Sequence, residues 1–397
     1  MRIFTGRDGA TPTRPGITRP RWFLAAALAA ALVPAAAPAH AADGGWTPAP
    51  AMEQARTGHG TTTAPCPEQV AGLGRGQCVY VIGGHPLEAA LSAHAYSPET
   101  RRWAKLPSMT VGRSGLAAVT APCPKDVKQL RGTCVYAVGG TNGSGSLTTV
   151  EAYSPATNAW ANVPMMPTAR GFLGAAAAPC PDGGASAPRG TCVYVVGGSA
   201  RKAGASTALN TVEAYSPEQN GWTALPKLPT PRRSLGVTAA SCPRSVVPKA
   251  PVCVYAVGGV EATQPVSTTE VFHPAARAWV KLPSAPTARR GMGVAAAPCP
   301  GTTRAAGTTC VYGVGGAPTA EATATGKAEV FAPADNAWSA LPALPQARFG
   351  FGATAAPCTG DLDRVCLYAP GGAVGTTPSA ETSSIDVTAL KPATPRG

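Results

Sequence analysis

Six times along this chain two cysteines stand with seven to eleven residues between them, followed by a tyrosine and a Gly-Gly doublet. The pairs are Cys66 with Cys78, Cys123 with Cys134, Cys180 with Cys192, Cys242 with Cys253, Cys299 with Cys310, and Cys358 with Cys366, and they use all twelve cysteines. A unit that recurs at a fixed period is one supersecondary element stacked on its neighbours, so the chain is a repeat protein. Cysteines in regular pairs also point to an oxidising compartment.

Each copy reads as four short strands. In the second, Arg113–Val119 ends towards Cys123, Cys134–Val138 is stopped by Gly139-Gly140, Thr149–Tyr153 by Ser154-Pro155, and Trp160–Val163 by Pro164. Runs of four to seven residues, rich in Val and Tyr and bounded by Gly or Pro, form an antiparallel meander. The chain has 46 glycines and 42 prolines in 397 residues. Without a period that content signals disorder; with one, it is turn punctuation.

Four-stranded units with Gly-Gly, Tyr and Trp at fixed offsets resemble the kelch family of β-propellers, over residues 46 to about 390. The tryptophans are Trp46, Trp103, Trp160, Trp222, Trp279 and Trp338; an arginine opens the first strand of each copy, at Arg56, Arg113, Arg170, Arg232, Arg289 and Arg348. The resemblance implies an all-β fold, a six-bladed kelch-type β-propeller with four antiparallel strands per blade. The blades run approximately 56–107, 113–164, 170–226, 232–283, 289–342 and 348–390. Trp46 has no Tyr-x-Pro strand before it, and the last copy has Ser384–Val387 but no Trp strand after it. The N-terminal segment 46–50 is therefore expected to close the sixth blade, which removes a free sheet edge. The propeller domain is expected to span 42–397.

The first residues differ from the rest. Five arginines from Arg2 to Arg21 precede an apolar run, Trp22–Val33, and then Ala39-His40-Ala41. A basic start, an apolar stretch short for a bilayer and an Ala-x-Ala site describe a secretory signal peptide, residues 1–41. Its loss removes five arginines and Asp8, so the net charge of +13 becomes +9. The mature product is expected to be secreted, extracellular, monomeric and free of the membrane, with polyanions as its natural partners. Nucleic acid is not expected, because the basic residues are spread over the blades without aromatic stacking motifs.

Both cysteines of each pair flank the hairpin between strands one and two, where facing residues are close enough to bond. Six intra-blade disulfides are expected, each worth roughly 2–3 kcal/mol. The Cys-x2–4-Cys spacing of zinc sites is absent, and no metal or other cofactor is expected. Propeller connectivity puts these hairpins on one face. The loops joining strands two and three, and one blade to the next, lie on the other.

The six arginines start the innermost strands and are expected near the channel mouth on that second face, with Arg233 and Arg290 adding charge. Guanidinium groups spaced this way suit carboxylates, sulfates or phosphates. Arg56, Arg113, Arg170, Arg232, Arg289 and Arg348 are thus the candidate ligand-binding residues, for an acidic peptide, glycan or cell-wall polymer. The resemblance offers a second role, since the kelch arginine often holds loop carbonyls or the strand-three glutamate, here Glu151, Glu213, Glu270 and Glu329. Kelch adaptors that bind acidic peptides with rim arginines carry partner domains lacking here, so the resemblance implies a binding surface alone. Phe172, Met292, Phe349 and Phe351 are expected to pack in the core.

Kelch propellers also include copper-dependent galactose oxidases and a sialic-acid mutarotase. The copper enzymes need two histidines, two tyrosines and a crosslinked cysteine. Here every tyrosine occupies a repeat position, every cysteine is paired, and only His59 and His85 gather, in blade one. The mutarotase type needs an acid/base and an anion-binding arginine. Glu53, Glu88, Glu261 and Glu321 are available, and no motif chooses among them. No catalytic residue is assigned; the reading is a secreted binding protein, with the mutarotase-type enzyme as the alternative.

Overall fold

A computed structural model describes residues 45–182, 189–202, 205–244, 251–301 and 307–390. The expected signal peptide, residues 1–41, lies outside the described residues, as does the separate unit Met1–Ala37. The repeat becomes six four-stranded antiparallel sheets, each ordered one to four from the axis outward. Blade two is representative: Ala117–Pro122, Thr133–Val138, Val150–Ser154 and Ala159–Val163. The sixth sheet takes its outer strand from the other end of the chain. Thr47–Ala49 pairs antiparallel with Thr382–Asp386, Thr47 facing Ser384. The ring is closed as the termini of the repeat array imply.

Three repeated side chains hold the disc, each at a different radius. At the rim, every repeat tryptophan donates its indole N–H to a proline carbonyl that ends the outer strand of the preceding blade. Trp46 reaches Pro342 at 2.7 Å, Trp103 reaches Pro50 at 2.8 Å, and the other four follow suit. The Trp46 and Trp103 bonds carry this staple across the closing strand. Further in, six buried tyrosines donate to the carbonyl that ends strand one of their own blade, as Tyr80 does to Pro65 and Tyr368 to Pro357. Buried hydroxyls need such partners.

The innermost strands are built of small residues because they meet around the axis. A Cβ added to Gly174 would stand 2.2 Å from Val237, and one on Gly236 would stand 2.0 Å from Val294.

Disulfides form the third repeated element, one at the end of each first hairpin. Cys66 is bonded to Cys78, Cys123 to Cys134, and Cys180 to Cys192. Cys242 is bonded to Cys253, Cys299 to Cys310, and Cys358 to Cys366. In blades one to five the second cysteine is the more deeply placed, and Cys78, Cys134, Cys192, Cys253 and Cys310 are fully buried; in blade six Cys358 and Cys366 are both at most 1% exposed. These twelve residues are therefore structural staples and not a surface for ligands. Six intrachain disulfides are consistent with an extracellular location.

Candidate functional site

The six repeat arginines do not stand at a solvent-facing rim. Each is at most 1% exposed, and they are among the largest fully buried side chains of the protein. In every blade the Nη1 group donates to the carbonyl of the first glycine of Gly-Gly, from Gly83 to Gly371. In blades two to six it also holds a carbonyl at or just before strand three, such as Thr149 and Thr211. In blades two to five Nη2 pairs with the strand-three glutamate: Arg113–Glu151, Arg170–Glu213, Arg232–Glu270 and Arg289–Glu329. A threonine from the incoming loop, Thr110, Thr168, Thr230 or Thr287, hydrogen-bonds the same carboxylate. Burial lowers the pKa of these arginines, and the glutamate charge pulls it back up. The expectation of a ligand-gripping ring thus gives way to the other role of the kelch arginine. Opening strand one turns the side chain inward, under the Gly-Gly turn, where a charge persists only if paired.

Blades one and six depart from this. Their strand-three position holds His94 and Ser383, and the threonine position holds Gln54 and Gln346. Arg56 Nη2 binds Gln54 Oε1 at 3.2 Å and His94 Nδ1 at 3.0 Å, while Arg348 binds Ser383 Oγ at 2.9 Å. Burial with no opposing acid lowers Arg56 to about 10. Because Arg56 is the donor, His94 must keep a lone pair on Nδ1. His59, at the position taken by Leu116, Leu173 or Leu235 in other blades, donates Nε2–H to the Pro370 carbonyl at 3.1 Å. Its Nδ1 is buried without a partner among the described residues. Burial first, then the Arg56 charge, lowers His59 to about 3 and His94 to about 4. Both imidazoles are therefore neutral.

Two residues beyond each arginine the backbones join. Gly58, Gly115, Phe172, Ser234, Gly291 and Gly350 link N–H to C=O in a closed ring of bonds 2.6–2.9 Å long. All six lie in the left-handed region, with φ from +51° to +70°. Glycine does this freely, whereas Phe172 and Ser234 do so at a cost of about 1 kcal/mol each. The signal was in the sequence: Arg-x-Gly in four copies, Arg-Gly-Phe and Arg-Arg-Ser in the others.

The residue between arginine and collar faces the strand two–three loops. Thr57, Ser114, Gly171, Arg233, Arg290 and Phe349 each pair with the residue after Gly-Gly in their own blade. The collar mouth is thus cationic and aromatic over blades four to six, and hydroxylic over blades one and two. Arg290 is partly exposed and fixed in place. Its Nε donates to the Thr319 carbonyl and its Nη2 to those of Ala320 and Glu321, and it lies 5.2 Å over the Phe349 ring. Arg233 Nη1 donates to Ser206. Neither arginine has an acidic partner within 4 Å among the described residues. Partial burial and then the charge of Arg233 lower the pKa of Arg290, so the two cations feel one another.

Exposed apolar side chains share this face: Phe172 is 43% exposed, Leu87 82%, Leu91 44% and Val374 42%. Met292 and Phe351 are core residues, as expected; Phe172 and Phe349 are surface ones, the former because the collar's left-handed turn aims it outward. His85 is exposed, away from buried His59, and His273 caps Ala276 N–H at 2.6 Å. Among the described residues no three His, Cys, Asp or Glu side chains converge as a metal site would require.

The kelch motif model matches residues 131–167, 183–229 and 253–286. Kelch-like protein 23 of Pongo abelii is 27% identical over 276 residues, covering 68% of this chain and 41% of the relative. Kelch-like protein 25 of Xenopus tropicalis is 24% identical over 254 residues, covering 61% of this chain and 35% of the relative. Kelch-like ECH-associated protein 1A of Danio rerio is 32% identical over 133 residues, 34% of this chain and 19% of that protein. The chain spans well under half the length of these curated relatives.

Proposed function

Starting from a kelch-repeat β-propeller homologous to the kelch-like proteins, we propose a secreted binding protein that holds an acidic partner on its strand two–three loop face. The observation that carries this is the pair Arg233 and Arg290. These are two neighbouring guanidinium groups without acidic partners, fastened to backbone carbonyls beside the Phe349 ring. On Arg290 the Nη1 hydrogens, and on Arg233 those of Nε and Nη2, have no protein acceptor among the described residues. A carboxylate, sulfate or phosphate satisfies both groups and relieves their mutual repulsion. Leu87, Leu91 and Phe172 supply the apolar contact area that binding of a peptide or glycan demands beyond charge. The six buried arginines serve this face indirectly, by fixing the Gly-Gly turns from which its loops leave.

Export is part of the reading, supported by the signal-like residues 1–41 and the paired cysteines. The test is a panel of acidic and matched neutral peptides and glycans, titrated at low and at physiological salt against the mature protein. Binding of acidic members, weakening as salt rises, supports the proposal. Equal binding of neutral members, or none of the acidic ones, defeats it. Expression from residue 1 in a bacterial host, with mass determination of the exported chain, tests cleavage after Ala41; retention in the cytoplasm with residues 1–41 attached contradicts export.

A further inference from the structure

The disulfide face has an opening of its own. The axial channel holds a cavity of about 230 Å³ bounded by the six innermost strands. At the collar end those strands are in backbone-to-side-chain contact, as the crowded positions Gly174 and Gly236 show. At the other end Pro122 and Pro179 are exposed. The channel is a funnel that narrows to the collar and widens towards the disulfides.

One blade makes the funnel larger. The first hairpin of blade six turns sharply, Cys358 facing Asp361, and its disulfide to Cys366 spans eight residues where the other five span eleven or twelve. A shorter hairpin leaves a notch between blades five and one. A second cavity of about 280 Å³ lies there, and it shares Thr63, Ala296 and Ala355 with the channel. The two adjoin across these residues.

Its chemistry is uniform in one respect: among the described residues no Asp, Glu, Lys, Arg or His lines either part. A charged ligand would leave water there without an opposite charge to meet, which disfavours it against an uncharged one. The walls otherwise mix hydroxyl and methyl groups. Blades six, one and two contribute hydroxyls, Thr62 bonded to Thr120 at 3.0 Å and Thr63 to Thr354 at 2.8 Å. Each hydroxyl pair uses one hydrogen and keeps another, together with free lone pairs. The Thr61 hydroxyl is buried with no partner among the described residues, and Gln77 adds an amide at the notch. Blades three and five add methyl groups, Ala175, Ala177, Val294 and Ala296, while blade four brings Thr238 to the channel and blade five Thr308 and Thr309 to the notch.

We propose that this funnel and notch form a binding site for a small uncharged polyhydroxylated molecule, a neutral saccharide of one or two rings. A sugar ring offers a hydroxyl edge to the threonines and a C–H face to the alanines, and the adjoining cavities match the size of small-molecule pockets. The site is independent of the acidic partner proposed for the opposite face.

The experiment titrates glucose, cellobiose and N-acetylglucosamine, with glucuronic acid as the charged control, into the mature disulfide-bonded protein. Calorimetry and saturation-transfer NMR read the binding. Ala355→Phe fills the shared space and Thr63→Val removes one hydroxyl at constant shape. The expected result is saturable millimolar or tighter binding of a neutral sugar, weakened about tenfold or more by Ala355→Phe and several-fold by Thr63→Val. The doubly substituted Arg233→Ser/Arg290→Ser protein binds the sugar unchanged. Should Ala355→Phe not fold, judged by circular dichroism, Thr63→Val alone decides. No saturable binding of any neutral sugar overturns the proposal, as does binding that survives both substitutions or binding of glucuronic acid as tight as that of glucose.

Discussion

Arg232 and Arg233 are adjacent in sequence, as are Arg289 and Arg290, yet the members of each pair belong to different regions with opposite physics. The first of each pair sits in the ring of blade joints, fully buried and matched to a glutamate. The second sits on the loop face, partly exposed and without an acid. Burial and pairing make an arginine structural; exposure without pairing leaves its charge for a partner. A charge count along the chain cannot separate the two. The strand geometry does, because one residue along an extended chain reverses the side of the sheet.

The ring should be sensitive to change and the face tolerant of it. The largest effect is expected from the joint that closes the ring. Deleting residues 42–52 removes a paired strand, the Trp46 staple to Pro342 and the buried Met52. The melting temperature should fall by more than about 10 °C in differential scanning calorimetry; an unchanged value breaks the closure account. Next, Glu270→Ala strands the Arg232 charge and should cost about 3–5 kcal/mol in chemical denaturation with disulfides intact. Arg233→Ser, one residue away on the other side, should stay within about 0.5 kcal/mol of the parent. Equal losses from the two would erase the distinction.

Acid should find the seam between blades one and six. His59 and His94 are held neutral, well below the usual imidazole value of about 6.5. The unfolded chain therefore takes up protons first, and stability that is complete above that pH is lost as pH falls towards about 4 and then about 3. The loss should be about 2.5 kcal/mol for each histidine by pH 4.5. His59→Leu, which copies blades two to four, should remove its share of that loss. An acid profile identical in this variant would show that the seam does not titrate. A smaller effect, of opposite sign, is expected at the collar: Phe172→Gly relieves a left-handed phenylalanine and should stabilise by about 1 kcal/mol while weakening partner binding. Destabilisation would assign Phe172 to the ring rather than the face.

Blade number, strand order, disulfide pairing and the closing strand are legible in the sequence, because each is carried by a residue type at a fixed offset. Two Cys, one Tyr, Gly-Gly and Trp recur, and the absence of a seventh Trp strand gives the closure. The functional face is less legible. The arginines are as regular as the cysteines, and regularity is what a joint requires; recognition lies in the positions that break the pattern. Arg233, Arg290 and Phe349 differ from Thr57, Ser114 and Gly171 at one repeat position, and Phe172 differs from glycine at the next. His94 and Ser383, which replace the glutamate, mark the closure in the same way. The disulfide face reads from sequence as a stabilising feature alone, because a hairpin shortened by a few residues does not reveal that it opens a cavity.

The most direct test compares binding of one acidic peptide to three proteins: the parent, Arg233→Ser/Arg290→Ser, and Arg102→Ser, an exposed arginine on the outer strand Arg102–Leu106 of blade one. The double variant should melt within a few degrees of the parent yet lose at least about tenfold in affinity, together with most of the salt dependence, while Arg102→Ser keeps both. Parent-like affinity and salt dependence in the double variant would contradict this reading.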